Sequence, residues 1–170
     1  MTKTSRTKIE RFLDWAEKQD RGTLANLRRG FSSGTAHRCW PYISRYCDLR
    51  KDHERIVWQT IAAGFATHGS TCEAGNLGTT MRRLALEGSS GKPEDALASF
   101  DTRFRRLLTC TMATEVCLHL SGIIRAAKNK NNIPINYATL FNDLYYWGER
   151  VKLRWAATYW EEHVTEIEKR

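Results

Sequence analysis

Residues 137–155 read Tyr137-Ala138-Thr139-Leu140-Phe141-Asn142-Asp143-Leu144-Tyr145-Tyr146-Trp147-Gly148-Glu149-Arg150-Val151-Lys152-Leu153-Arg154-Trp155. Leu140, Leu144, Trp147, Val151, Trp155 and Thr158 recur at steps of three and four, which is one face of an α-helix. The stretch therefore predicts one long helix over 137–167 with that stripe turned inward. Arg150 and Arg154 are four apart and border the stripe. Neither has an acidic residue at good helical spacing. Asp143 and Glu149 are poorly placed for Arg150, and Glu161 for Arg154. An unpaired guanidinium offers a planar fork that matches two oxygens of a phosphate.

The same periodicity extends toward the N-terminus. Lys128-Asn129-Lys130-Asn131-Asn132 reads as a basic loop, closed by Pro134, which drives its predecessor away from helical geometry. Before it, Met112, Val116, Leu120, Ile123 and Ala127 predict a helix over 112–128. Leu97, Phe100, Phe104, Leu107 and Leu108 predict another over 94–110. Arg103 and Arg106 lie opposite Phe100 and Phe104 with few acidic neighbours. Gly88-Ser89-Ser90-Gly91-Lys92-Pro93 is the best boundary, dividing the chain into 1–90 and 91–170.

The first half reads as shorter helices. Residues 8–18 turn Ile9, Phe12, Leu13 and Ala16 to one side. Residues 21–29 follow, with Gly30 placed for a left-handed cap. Pro41 is expected to break a short helix within 35–46. Residues 50–67 face Ile56, Val57, Thr60, Ile61, Gly64 and Phe65 inward. The three glycines of 68–78 predict a flexible surface loop, and 79–86 a short helix carrying Arg82 and Arg83. No alternation lasts long enough for a sheet. The expected fold is all-α, two small helical bundles in one compact chain.

Composition sets limits on function. The chain has 170 residues, 41% of them apolar and only three of them proline, which suffices for a core without metal or disulfide staples. Its net charge of +8 is uneven: residues 21–60 carry 8 basic and 3 acidic side chains, and residues 102–130 carry 6 and 1. Two separated basic regions suggest a charged face, for which nucleic acid is the commonest partner. The five cysteines contain no C-x-x-C, so a zinc ribbon or redox motif is not supported. No apolar h-region and no run of about 18 apolar residues occur, so a cytoplasmic protein with free thiols and no membrane span is expected.

Catalytic signatures are missing from the reading. His37, His53, His68, His119 and His163 show no ligand spacing, and Cys117 and His119 point about 200° apart on a helix. Residues 69–75 lack the lysine and the glycine spacing of a phosphate-binding loop. Glu161, Glu162, Glu166 and Glu168 read as a solvated helix face. No catalytic residue, metal ligand or cofactor is expected, so the chain reads as a binder of a polyanion and not as an enzyme.

Several segments carry a resemblance. Asp20-Arg-Gly-Thr-Leu-Ala-Asn-Leu-Arg-Arg-Gly30, Thr79-Thr-Met-Arg-Arg-Leu-Ala85, Arg103-Phe-Arg-Arg-Leu-Leu108, Tyr137–Trp147 and Trp155 together resemble the CasB family, the small subunit of the type I-E CRISPR surveillance complex Cascade. Met81 and Arg83 depart from that family's Gly and Ala. The resemblance implies a non-catalytic subunit that partners the backbone and large Cascade subunits and their guide RNA. It also implies a second copy of the chain, arranged head to tail. Target or non-target DNA would be bound without regard to sequence, stabilising the R-loop. Carried over to this chain, the contacts would be Arg28, Arg29, Arg82, Arg103, Arg106, Arg150 and Arg154, with Arg105, Lys128 and Lys130 second. The alternatives are a stand-alone helical nucleic-acid-binding protein, or a scaffold docking on RNA or protein.

Overall fold

The computed structural model of the protein describes residues 6–161. Among them are nine α-helices and no strand. In chain order these are α1 (Lys8–Glu17), α2 (Arg21–Arg28), α3 (Trp40–Ile43), α4 (Asp52–His68), α5 (Leu77–Leu86), α6 (Pro93–Leu108), α7 (Ala113–Asn129), α8 (Tyr137–Tyr145) and α9 (Glu149–Ala156), followed by a π-helical turn at Ala157–Glu161. The all-α expectation holds. Side-chain caps begin several helices. Thr7 and Glu10 form a reciprocal capping box at α1, and Asp20 accepts the Thr23 N–H at 2.7 Å at α2. Asn76 and Asn136 cap α5 and α8 in the same manner. Each cap satisfies an N–H that the helix itself leaves without a partner.

Helix α4 is the centre of the molecule. Val57, Trp58 and every residue from Thr60 to Ala66 are buried, so the helix is enclosed on all sides and not on one inner face alone. Helix α7 runs beside it in the same direction. A Cβ on Gly64 would lie 2.6 Å from the Ile124 side chain, and Lys128 lies close enough to His68 to act on its charge. Helix α8 runs the other way, pairing Tyr137 with Gly64 and His68, Phe141 with Trp58, and Tyr145 with His53. One hydrophobic cluster extends from Ile9 to Tyr159. The expected boundary near residue 90 falls in the exposed connection between α5 and α6.

Three local expectations are corrected. The helix anticipated over 137–167 is divided into α8, α9 and the π turn, and residues 162–167 lie outside the described chain, as do Glu162, His163, Glu166 and Glu168. The break falls at Tyr146–Gly148, where glycine is a poor helix former and the Trp147 indole donates to the Cys110 carbonyl at 3.1 Å. The inward stripe survives the break, with Leu140, Leu144, Val151 and Trp155 all buried. Gly30 is not a left-handed cap. It sits in a 3-10 turn, Arg29–Phe31, and a Cβ there would meet the Gln59 carbonyl oxygen of α4 at 2.5 Å. Glycine is needed at that position for close approach. The segment 35–46 is broken as expected, into a 3-10 turn at Ala36–Arg38 and α3, but Pro41 occupies the first turn of α3 and not the break itself, and there its missing N–H costs nothing.

Candidate nucleic-acid interface

Because α4 and α7 are parallel, their carboxyl ends lie at the same end of the molecule. The hydrogen bond from Arg28 to Ala66, in the last turn of α4, brings the end of α2 there as well. Four cations converge at this end. The Arg28 Nε donates to the Ala66 carbonyl in the last turn of α4 at 2.9 Å. Arg29 is exposed in the turn that follows. The Arg125 guanidinium lies over the Phe31 ring at 5.4 Å, a favourable cation–π placement. Lys128 is exposed one turn further along α7 and lies near His68. Among the described residues none of the four forms an ion pair. Part of this charge serves the fold, since cations favour the negative ends of helix dipoles. Arg28, Lys128 and Arg29, the C-cap residue of α2, occupy such positions, whereas Arg125 stands before the last turn of α7.

Arg125 is absent from the contacts expected from sequence. It stands three residues before Lys128, so the two share a helix face. That spacing is the available signal, but it serves a helix end equally well.

The other expected contacts are distributed elsewhere. Arg82 is corrected outright. It is buried at 4% exposure and donates to the Tyr159 carbonyl at 3.2 Å, so it ties α5 to the π turn and offers no surface to a phosphate. Arg154, expected to be unpaired, donates to Asp143 at 3.1 Å. The bend between α8 and α9 creates that pair. Arg150 is exposed on the same helix. Arg105 pairs with Asp101 at 3.5 Å and lies over the Trp160 ring at 4.9 Å. Lys130 donates to the Leu84 carbonyl at 3.2 Å, fastening the asparagine-rich loop to the end of α5. Arg103 and Arg106, expected opposite Phe100, share its side of α6 and together line a groove of about 280 Å³ between α5, α6 and α7.

Among the described residues no three His, Cys, Asp or Glu side chains could together hold a metal ion. The thiols are free, and burial raises those of Cys39 and Cys117 to about 12 and that of Cys47 to about 11. A thiol so raised is a poor nucleophile near neutrality. No helix among the described residues is long and apolar enough to cross a membrane.

Comparison with known proteins places this architecture. The family model for CRISPR-associated protein Cse2 matches residues 23–160. CasB from M. ruber superposes with a TM-score of 0.75 at 20% identity, covering 96% of this chain and 98% of that one. CasB from Thermus thermophilus gives 0.68 at 25% identity, covering 92% and 99%. A structure of a Cse2-family CRISPR-associated protein, also from Thermus thermophilus, gives 0.70 at 25%, with the same coverage. Comparison with curated protein sequences gives no match. With the family model matching residues 23–160, which takes in every helix except α1 and the first residues of α2, the chain belongs to the CRISPR-associated Cse2 family.

Proposed function

We propose that the protein is the non-catalytic small subunit of a Cascade surveillance complex. In this reading it holds nucleic acid through phosphate contacts at the end of the molecule where α2, α4 and α7 finish. The observation that carries the reading is the grouping of Arg28, Arg29, Arg125 and Lys128 at this end, none of them in an ion pair among the described residues. Contacts to phosphate are blind to sequence, as a subunit that must serve any guide requires. Exchange of a DNA duplex for an RNA–DNA hybrid is nearly balanced in base-pairing energy. A few backbone contacts can therefore decide whether the opened state persists. Arg150 and the outward part of Arg154 form a second, weaker set on α9. Arg82, being buried, has no place in the set.

The test is fluorescence anisotropy of the purified chain with a random-sequence DNA single strand across a salt series. Affinity should fall with salt, and Arg125→Gln or Lys128→Gln should each lower the slope of log affinity against log salt by about 0.7. A salt-independent affinity, or a slope untouched by both substitutions, would remove this face from the reading. Membership is tested separately by recovering the tagged chain from its cells. Guide RNA and the other Cascade proteins should come with it, and recovery without them would sink that part.

A further inference from the structure

Arg103 and Arg106 are set apart from the cations above. They stand one turn apart on α6, at the rim of the groove between α5, α6 and α7. Its floor is aliphatic: Met81 and Leu84 from α5, Leu107 from α6, Ile123 and Ala126 from α7. Arg103 is held over the Phe100 ring at 5.5 Å. Neither arginine forms an ion pair among the described residues. The α7 wall is open at Gly122, where an added Cβ would meet nothing within 4 Å.

The groove, at about 280 Å³, is just below the roughly 300 Å³ at which pockets begin to hold whole drug-sized ligands. It has room for one large apolar group. The rim adds two guanidinium forks suited to an anion beside that group. A nucleotide would satisfy the rim but not the floor. The polar edge of a base needs hydrogen-bond partners when buried, and His119 is the one titratable or amide-bearing side chain in the lining besides the two arginines. A leucine or phenylalanine side chain needs none.

We infer that the α5–α6–α7 groove is a protein-docking site for a partner segment in which a leucine or phenylalanine inserts between Met81, Leu84 and Ile123 while a neighbouring aspartate or glutamate pairs with Arg103 and Arg106. The site is independent of the nucleic-acid face and of another chemistry. Its partner is an acidic, apolar-anchored peptide, with the anchor supplying most of the affinity and the carboxylates its register.

The probe is labelled acetyl-Asp-Glu-Leu-Phe-Asp-Glu-amide, titrated against the full chain by anisotropy. Two controls carry serines for Leu-Phe, or asparagine and glutamine for the acids. The wild-type chain should bind the probe about tenfold tighter than either control. Gly122→Leu, which fills the mouth of the groove, and the double variant Arg103→Gln/Arg106→Gln should each weaken the probe about tenfold. Gly122→Leu should leave the affinity for single-stranded DNA within about twofold of wild type. Thermal melts confirm that both variants fold.

No probe binding up to about 1 mM, or equal binding by wild type and Gly122→Leu, overturns the inference. Displacement of the probe by single-stranded DNA would assign the rim arginines to nucleic acid and overturn it as well. Binding that emerges only after residues 162–170 are removed would give the groove to the chain's own Glu166-Ile167-Glu168. Self-association abolished by Gly122→Leu would give it to a second copy. Either result also overturns it. Failure here leaves the nucleic-acid reading untouched, since that is read from salt slopes at Arg125 and Lys128.

Discussion

Arg154 and Asp143, eleven residues apart, meet at 3.1 Å across the bend between α8 and α9. Asp143 is buried at 4% exposure, and its second oxygen accepts the Trp155 indole N–H at 2.8 Å. The carboxylate therefore locks the angle between two helices, and the arginine is only one of its partners. Replacing Asp143 with alanine should cost about 1–3 kcal/mol, because the Trp155 N–H is left buried without an acceptor. Asp143→Asn retains an acceptor and should cost less. Arg154→Gln should cost at most about 1 kcal/mol, since its side chain is over half exposed and solvent screens the pair. Chemical denaturation of the three variants gives the order. If Arg154→Gln proved the most damaging, the indole would not be the partner that matters.

Two glycines should respond in opposite directions. A Cβ on Gly78 would lie 2.3 Å from the Trp155 carbonyl oxygen, which is backbone and cannot step aside. Gly78→Ala should destabilise by about 1–3 kcal/mol as α5 is pushed off α9. Gly122 sits in the middle of α7 with open space around it. Gly122→Ala should stabilise by about 0.5–1 kcal/mol, through helix propensity alone. Melting curves of the pair settle this, and a stabilised Gly78→Ala would refute the close contact.

Arg28 and Arg29 are neighbours with different duties. Arg28 donates to the Ala66 carbonyl, and Arg29 makes no side-chain hydrogen bond or ion pair among the described residues. Arg28→Gln should cost about 0.5–1.5 kcal/mol of stability as well as nucleic-acid affinity. Arg29→Gln should lower the salt slope by about 0.7 and leave stability within about 0.5 kcal/mol. Combined denaturation and DNA titration would show the split, and equal stability losses in the two would erase it.

Periodicity made the helices legible because each buries an apolar stripe at steps of three and four. Leu97, Phe104 and Leu107 of α6 and Val116, Leu120 and Ala127 of α7 are buried where the pattern put them. The bend at Tyr146–Gly148 was hidden for the same reason. Trp147, Val151 and Trp155 remain in phase across it, so the stripe reads as continuous. Burial of charge was not legible either. Arg82 lies in a helix between buried Met81 and Leu84, but its partner, the Tyr159 carbonyl, is 77 residues distant. The cationic cluster depended on parallel packing of α4 and α7, a tertiary fact that places Arg125 and Lys128 of one region beside Arg28 and Arg29 of another. Local spacing could identify each pair but not their meeting.

His68 provides the last prediction. It is buried, and the Tyr137 hydroxyl contacts its Nδ1 at 3.0 Å while donating to the Gly64 carbonyl at 3.1 Å. The one hydroxyl thus lies within hydrogen-bond reach of both the Gly64 carbonyl and the ring, and among the described residues Nε2 has no well-aligned hydrogen-bond partner. Burial holds the ring's proton affinity below the ordinary value of 6.5, Lys128 adds to the effect, and the Ile133 backbone opposes it. The unfolded ring takes up a proton near pH 6.5, but the folded ring resists until lower pH. Between those values the unfolded state binds more protons, so stability is complete above about pH 6.5 and declines as the pH falls toward the folded value. The lowered carboxylates Glu10, Asp20 and Asp48 act in a separate window, below their ordinary values of 4.5 and 3.8. Denaturation of wild type and His68→Leu from pH 8 to about pH 5 should therefore give a flatter profile for the variant, with the difference confined to the region below about pH 6.5. Parallel profiles would mean that His68 titrates alike in both states and that its burial carries no cost.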